Sequence, residues 1–560
     1  MDASCTKKRP LDPSVINDQI FDLFAEESPT TIILEKDYLE LKSEVGYWKS
    51  MHAKAVKREQ SLKDKIKVLQ GQIRDLRQRV FSKQNEKTGT KKGEGKSTPS
   101  NPKRPRGQQP GSEGHGLTER PDLPESKESV GFTEEPVCPE CGKPYIPDGT
   151  CESETIEVEV KAYKRIIRRP CMKQGCTCSG VPDSITAPMP PKVIPKSPYG
   201  NSIWEALLLT KFLYCQPTNR LLNQYAELGL PISPGTVTGG LKTLMPLFDP
   251  VCDAFNRQQM TENRFHNDES SWKVFEHVEG KIGNKWWLWV SRSESVVFFQ
   301  ITPGRGADVP VEYFGNTQRE KIILICDRFS AYKSLAKQLP YIILAFCWAH
   351  VRRDYLDAAR KYPELEEWAF SWVDMIATLY HINNQRRKEF DPELSLQQQT
   401  PSFNELHGQL VEKMDEMVER REASIKKHDP AGPNATLLST VKHKILTSLE
   451  NHWDGLSVFV THPEVPMDNN AGENSIRNPV TGRKNFYGSG SVWSSRMAAM
   501  MFTIFQTLAL WKINRNHWLR SYLAACGENH GRAPENLSSF LPWEMSEERR
   551  LLLARPPDTS

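Results

Sequence analysis

Five runs within residues 264–347 decide the fold: FHNDESSWKVFEHV (265–278), NKWWLWVSR (284–292), SVVFFQIT (295–302), KIILICD (321–327) and YIILAFC (341–347). The first three are rich in β-branched and aromatic residues and are separated by short polar turns, which predicts an antiparallel meander. The last two are apolar strands. A short helix is expected around Ala307–Gly315 before the fourth run, and another between the fourth and fifth. The order is therefore β-β-β-α-β-α-β, with helices laid on a mixed sheet.

That order is the one found in ribonuclease H-like domains, where the first and fourth strands are neighbours. Asp268 on the first strand and Asp327 at the end of the fourth then meet at one sheet edge. Glu269, the neighbour of Asp268, competes for the same role but points to the other face. A third carboxylate has to come from a later helix, and Met467–Ser491, MDNNAGENSIRNPVTGRKNFYGSGS, supplies it as Glu473. DNNAGENSIR reads as a helix start with Asp468 or Asn469 as N-cap, and Glu473 and Arg477 fall one turn apart.

Singly, these acids are a strand-edge polar residue, a turn-capping Asp and a solvated helix N-terminus. Together, three carboxylates at one point repel unless divalent cations lie between them. Two Mg²⁺ (or Mn²⁺) ions about 3.5–4 Å apart activate a water or a 3′-hydroxyl and stabilise the leaving oxygen. The combination reads as a metal-dependent nuclease or transferase.

Outward from this core, a chain of 560 residues exceeds one hydrophobic core. A hydrophobic content of 38% and the absence of any long apolar run exclude a membrane-spanning class. The N-terminus MDASCTKKRPLDPS lacks a signal core, so the expected location is cytoplasmic, nucleoid-associated in a prokaryotic-type cell. Net charge is only +4, so a nucleic-acid footprint has to come from local clusters. Twelve cysteines without a secretion signal point to metal or free thiols.

Leu34–Val80 keeps a heptad spacing without a slip. Ile66 and Ile73 fall at a and Leu41, Leu62, Leu69 and Leu76 at d, the pattern of a parallel two-stranded coiled coil and hence of a homodimer. His52, Glu59 and Ala55 weaken the middle of the seam. The basic linker that follows contains Arg104 and Arg106, in a tract suited to phosphate or an A/T-rich minor groove. Cys138-Pro-Glu-Cys141-Gly is a zinc knuckle signature. Closure of a structural Zn²⁺ site needs two of Cys171, Cys176 and Cys178, taken as Cys176 and Cys178, with TIEVEVKAYKRIIRR expected as a strand leading there. A proline-rich hinge then precedes helical Tyr199–Arg257. Here a Gly229 stop, Ser233 as N-cap and Pro234 at N1 outline a helix-turn-helix, with Thr236, Thr238 and Lys242 on its second helix.

Between Asp327 and Glu473 lie about 145 mostly helical residues. They begin with Cys347-Trp-Ala-His350, a pair able to ligate zinc but without a second pair, read as packing beside the active site. Arg352, Arg353, Arg477, Arg483 and Lys484 are candidates for DNA phosphate contacts.

Several of these runs resemble the insertion sequence 66 family of transposases, in the DDE superfamily. They are FHNDESSWKVF, ILICDRFSAYK, FCWAHVRRDYLDAAR and DNNAGENSIRNPVTGRKNFYGSGS, with RGQQPGSEGHG, CPECG and TAPMPPKVIPKSPYGNSIWEALLLTKFLY in support. The similarity extends from about Lys83 to Tyr522. It implies that Asp268, Asp327 and Glu473 carry the metal ions and that the segment between the second and third acids is a helical insertion. It also implies double-stranded DNA partners, namely element ends and target, with element-encoded helper proteins possible. Two departures are visible: Ser270 where the family usually reads Asp-Glu-Thr, and Asn474 and Asn478 where it usually reads DNNxxERxxRP. The alternatives are a catalytically inactive, transposase-derived repressor and a structure-specific nuclease on the same fold.

The expected architecture is multidomain α/β. It runs as a tail (1–30), coiled coil (31–82), basic disordered linker (83–130), zinc-binding module (131–182) and helical segment (196–260). The catalytic core follows in two parts (261–350 and 466–525) around a helical insertion (351–465), with a C-terminal tail (526–560).

Overall fold

The computed structural model describes residues 35–81, 129, 136–137, 139–146, 156, 158, 160–175, 180, 182–315, 317, 319–430, 432 and 435–556. The chain forms two compact units: residues 1–89 with 360–364, and the remainder.

In the first unit the heptad stretch is one helix, α1 (Glu35–Phe81). Its seam residues stay in solvent: Leu62, Ile66, Leu69 and Leu76 are each 55–59% exposed.

In the second unit, residues 160–170 make no strand. The alternating run was expected to pair. Instead the side chains of residues 160–169 are exposed on both faces, and two short strands, β1 (Cys171–Lys173) and β2 (Ser184–Thr186), pair beyond them. Around Cys141 the chain closes a tight turn, with Val137 bridging Pro144 and Tyr145 N–H donating to the Pro136 carbonyl at 2.8 Å. Cys138, Cys176 and Cys178, like Arg104 and Arg106, lie outside the described residues.

The helical segment is α2 (Asn201–Leu208, continued by a π-turn), α3 (Thr218–Glu227), α4 (Pro234–Leu244) and α5 (Asp249–Gln259). Gly229 takes φ +78° after α3, and Ser233 caps α4 by accepting from Thr236 N–H at 3.2 Å. Thr236, Thr238 and Lys242 are exposed on α4.

The central sheet contains β3 (Arg264–Lys273), β4 (Lys285–Arg292), β5 (Val297–Thr302), β6 (Ile322–Cys326) and β7 (Ile342–Phe346). Its order is β5-β4-β3-β6-β7. The first three strands are antiparallel, whereas β3–β6 and β6–β7 are parallel. The expected helices are α6 (Asp308–Gly315) and α7 (Ser330–Gln338).

Strand alternation sends side chains to two cores. One face carries Trp272, Leu288, Val290 and Phe299 into a core with α2–α5, α14 (Val492–Leu510) and α15 (Arg515–Glu528). The other carries Phe265, Trp289 and Leu324 into a core with α6, α7 and five further helices. These are α8 (Trp348–Lys361), α9 (Glu366–Glu389), α10 (Pro401–Lys427), α11 (Leu437–Asn451) and α12 (Trp453–Thr461).

The outer edge of β5 is not left open. Thr507 and Thr503 on α14 accept the Val297 and Phe299 N–H groups at 3.0 and 2.9 Å. Edge donors are thereby satisfied by side chains. The C-terminal stretch is more than a tail: Phe540, Leu541, Met545 and Leu553, the last on α16 (Glu547–Ala554), are buried in the first of these cores. No helix among the described residues is long and apolar enough to cross a membrane.

Candidate active site

The parallel pairing of β3 with β6 ends at His266 opposite Ile325. Two residues further along the chain stand Asp268, still on β3, and Asp327, just past the end of β6, near enough for the charge of Asp327 to act on Asp268. Asp327 turns the chain, its Oδ1 accepting from Phe329 N–H at 2.9 Å. Asp268 Oδ1 accepts from Glu269 N–H at 2.8 Å.

The third acid arrives on α13 (Asn470–Phe486). The expected helix start is there, but the helix continues through Pro479 and Gly482 to Phe486, one turn and more beyond the proline. Asn469 sits at the N-cap position without capping the helix. Its side chain instead accepts from His266 Nδ1 at 3.0 Å and donates to the Asn267 carbonyl at 2.6 Å, while its N–H reaches Cys347 Sγ at 3.3 Å. Trp348 N–H donates to the Met467 carbonyl at 2.8 Å, which holds the approach to α13 against the end of β7. Burial lowers the His266 pKa to about 4, so its neutral Nδ1–H serves as the donor. These bonds fix the first turn of α13, and with it Glu473, over β3.

Glu473 and Asp327 both act on Asp268. Burial, then the charge of Glu269, and then Glu473 and Asp327 push the Asp268 carboxyl up to about 7. Glu473 Oε1 is buried and has no hydrogen-bond partner among the described residues. Acidic neighbours that raise the Asp268 carboxyl, with a buried Glu473 oxygen left unpaired, form a donor set that fits hard divalent cations such as Mg²⁺ or Mn²⁺.

Glu269 takes the opposite face, as alternation requires. It accepts from Arg305 Nη2 at 2.5 Å and from the Tyr332 hydroxyl at 2.7 Å. Arg305 lies over the rings of Trp287 and Phe329 at 4.5 and 3.8 Å from their centroids. Burial nevertheless raises the Glu269 pKa despite these two donors. The arrangement locks β3 from behind, a role the sequence did not suggest because Arg305 and Tyr332 are distant in the chain.

The basic candidates divide. Arg353, Arg477 and Lys484 are exposed, and Arg352 is half-buried. Arg483 is turned inward, with Nη1 donating to the Ser270 and Ser271 hydroxyls at 3.1 and 2.8 Å and to the Ser271 carbonyl. It ties α13 to β3.

Cys347 and His350, expected to pack beside the active site, face one of its acids. Cys347, His350 and Glu473 bring ligand atoms within 4.8 Å of one another, the one such trio among the described residues. The i,i+3 spacing of Cys347 and His350 was a visible signal, but their companion lies over a hundred residues downstream.

The segment that builds this site falls within residues 196–497, which match the transposase IS66 family. Three uncharacterized proteins of Sinorhizobium fredii are also similar. Protein y4hP is 21% identical over 439 residues, 75% of each chain. Protein y4jD is 22% identical over 421 residues, 71% of this chain and 75% of that one. Protein y4qI is 24% identical over 296 residues, half of each.

Proposed function

This chain belongs to the IS66 family of DDE-type transposases, and from that premise we propose that it cuts and joins DNA at the ends of a mobile element with Asp268, Asp327 and Glu473. The observation carrying this reading is the convergence at Asp268, where β6 ends beside β3 and Asn469 holds the first turn of α13 over β3.

The strand order supports a ribonuclease H-like core, with α8–α12 as the insertion between the second and third acids. The three carboxylates would hold Mg²⁺ or Mn²⁺, which supplies an activated water or 3′-hydroxyl and stabilises the leaving oxygen. The chain itself positions and neutralises. Asn469 and Arg483 hold α13 on the sheet, and the Glu269–Arg305–Tyr332 group holds β3. Arg352, Arg353, Arg477 and Lys484 offer charge to the DNA backbone. Terminal inverted repeats would be recognised by the α3–α4 pair and the basic linker. Cys138 and Cys141 of the CPECG run would carry a structural Zn²⁺, with Cys176 and Cys178. The exposed seam of α1 would pair two copies so that two ends are held together.

The test is cleavage and end-joining of element-end DNA by purified full-length protein with Mg²⁺ or Mn²⁺. Wild type is expected to cleave and join, while Asp327→Asn and Glu473→Gln bind DNA but lose at least a hundredfold in rate. DNA binding without cleavage by wild type in either metal would instead identify a repressor.

A further inference from the structure

The trio at Glu473 differs chemically from the three acids. Cys347 closes β7, its N–H donating to the Cys326 carbonyl at 3.0 Å, and His350 lies in the first turn of α8. Their i,i+3 spacing turns both toward the first turn of α13. His350 Nδ1 and Glu473 Oε1 stand 4.0 Å apart, too far to bond each other. Both atoms are buried, and neither has a hydrogen-bond partner among the described residues. Two orphaned polar atoms facing each other across such a gap are costly unless something lies between them. A water would satisfy them, but it would not account for the sulfur beside them.

Ligands of one tetrahedral zinc ion stand roughly 3.4–3.8 Å apart, given bond lengths of about 2.0–2.3 Å. A small rotation of the half-exposed His350 and Glu473 side chains closes the difference. We propose that Cys347, His350 and Glu473 form a site for one borderline-soft divalent ion of the Zn²⁺ class, with its fourth position open.

Sulfur and imidazole select such an ion over Mg²⁺, which prefers the all-oxygen surroundings of Asp268 and Asp327. Burial pushes the free Cys347 thiol up to about 11, only partly offset by the N–H groups of Asn469, His350 and Ala349, so the sulfur ionises only with a cation to pair it. Burial likewise drives His350 toward its neutral, ligating form. Side-chain exposures of 26% and 24% at His350 and Glu473 leave an entry from solvent. The consequence for the proposed reaction, which rests on the transposase reading, is that this ion positions Glu473 between two different metals. The site itself does not depend on that reading.

The test uses full-length protein carrying Cys138→Ser and Cys141→Ser, so that the CPECG thiolates contribute nothing. After equilibration with Zn²⁺ and dialysis, one zinc per chain is expected. Cobalt loading is expected to produce a thiolate-to-metal charge-transfer band. Cys347→Ser and His350→Gln each lose the zinc equivalent, Cys347→Ser loses the band, and Asp327→Asn keeps both. Absence of the cobalt–sulfur band in the background protein overturns the site without reference to any variant. Unchanged zinc content in folded Cys347→Ser and His350→Gln, with folding checked by thermal melts, overturns it equally. DNA cleavage retained by Asp327→Asn would overturn the assignment of the catalytic acids and leave the zinc result standing.

Discussion

At Asp268 the cost of assembling a metal site is visible in one carboxyl. Its pKa rises from 3.8 to about 7, so the metal-free fold keeps a proton that the unfolded chain has released. The sign follows from linkage: where the folded state binds more protons, stability falls as pH rises. The advantage of the neutral form is complete below about 4 and gone once pH passes about 7. Asp268→Asn removes this slope. Its melting temperature in EDTA is expected to exceed wild type by a few degrees at pH 8 and to match it near pH 4. An equal offset at both pH values would contradict the reading. Asn469 is the complementary case. Truncation to Ala leaves His266 Nδ1 and the Asn267 carbonyl without their partner, which costs roughly 2–3 kcal/mol. Urea unfolding measures that loss, and calorimetric titration of Mn²⁺ should show weaker binding because Glu473 is no longer held in place. The nearness of Asp268 and Asp327 was legible because the strand order sets β3 beside β6. The work of Asn469 and the inward turn of Arg483 were not, since both depend on which backbone groups face them after folding.

Element boundaries show where local signals are sufficient. The capped start of α4 and the stop at Gly229 were readable because turn and cap chemistry is local. The run TIEVEVKAYKRIIRR has the alternation of a strand, yet alternation supplies a face only where another strand offers hydrogen bonds. α13 passes through Pro479 while packed on the sheet, and Arg292 donates to the Ala471 carbonyl in its first turn at 3.2 Å. The glycine after that helix has a specific cause. Gly488 adopts φ +138°, and a Cβ there would lie 2.3 Å from the Lys273 carbonyl oxygen. The neighbouring Ser489 N–H donates to that same carbonyl at 2.8 Å, so the two backbones cannot separate freely. Gly488→Ala is therefore expected to cost roughly 2–4 kcal/mol, combining a disfavoured backbone with a clash. Gly490→Ala, where nothing lies within 4 Å, is the control and should melt within about 1 °C of wild type.

At the scale of the molecule, transposition requires that two DNA ends be held by one assembly, and α1 is the element suited to joining copies. It spans 47 residues, about 70 Å of helix. Leu69 and Leu76, both d residues, are 57% and 59% exposed. A single helix with a regular apolar seam in water gains by pairing that seam with its copy, and leucine at d with isoleucine at a favours two strands. His52 and Glu59 at a positions weaken the centre, so the C-terminal heptads should carry most of the affinity. Leu69→Lys with Leu76→Lys places like charges opposite each other in a parallel pair, whereas Leu69→Lys alone leaves a neighbouring layer intact. Sedimentation at micromolar concentration is expected to give a dimer for wild type, a weakened dimer for the single variant and a monomer for the double. A double variant that remains dimeric would move the self-association away from α1. If it is monomeric yet still binds one element end with wild-type affinity, α1 is needed for pairing ends and not for recognising them. A loss of single-end binding along with dimerisation would mean that recognition itself requires two copies.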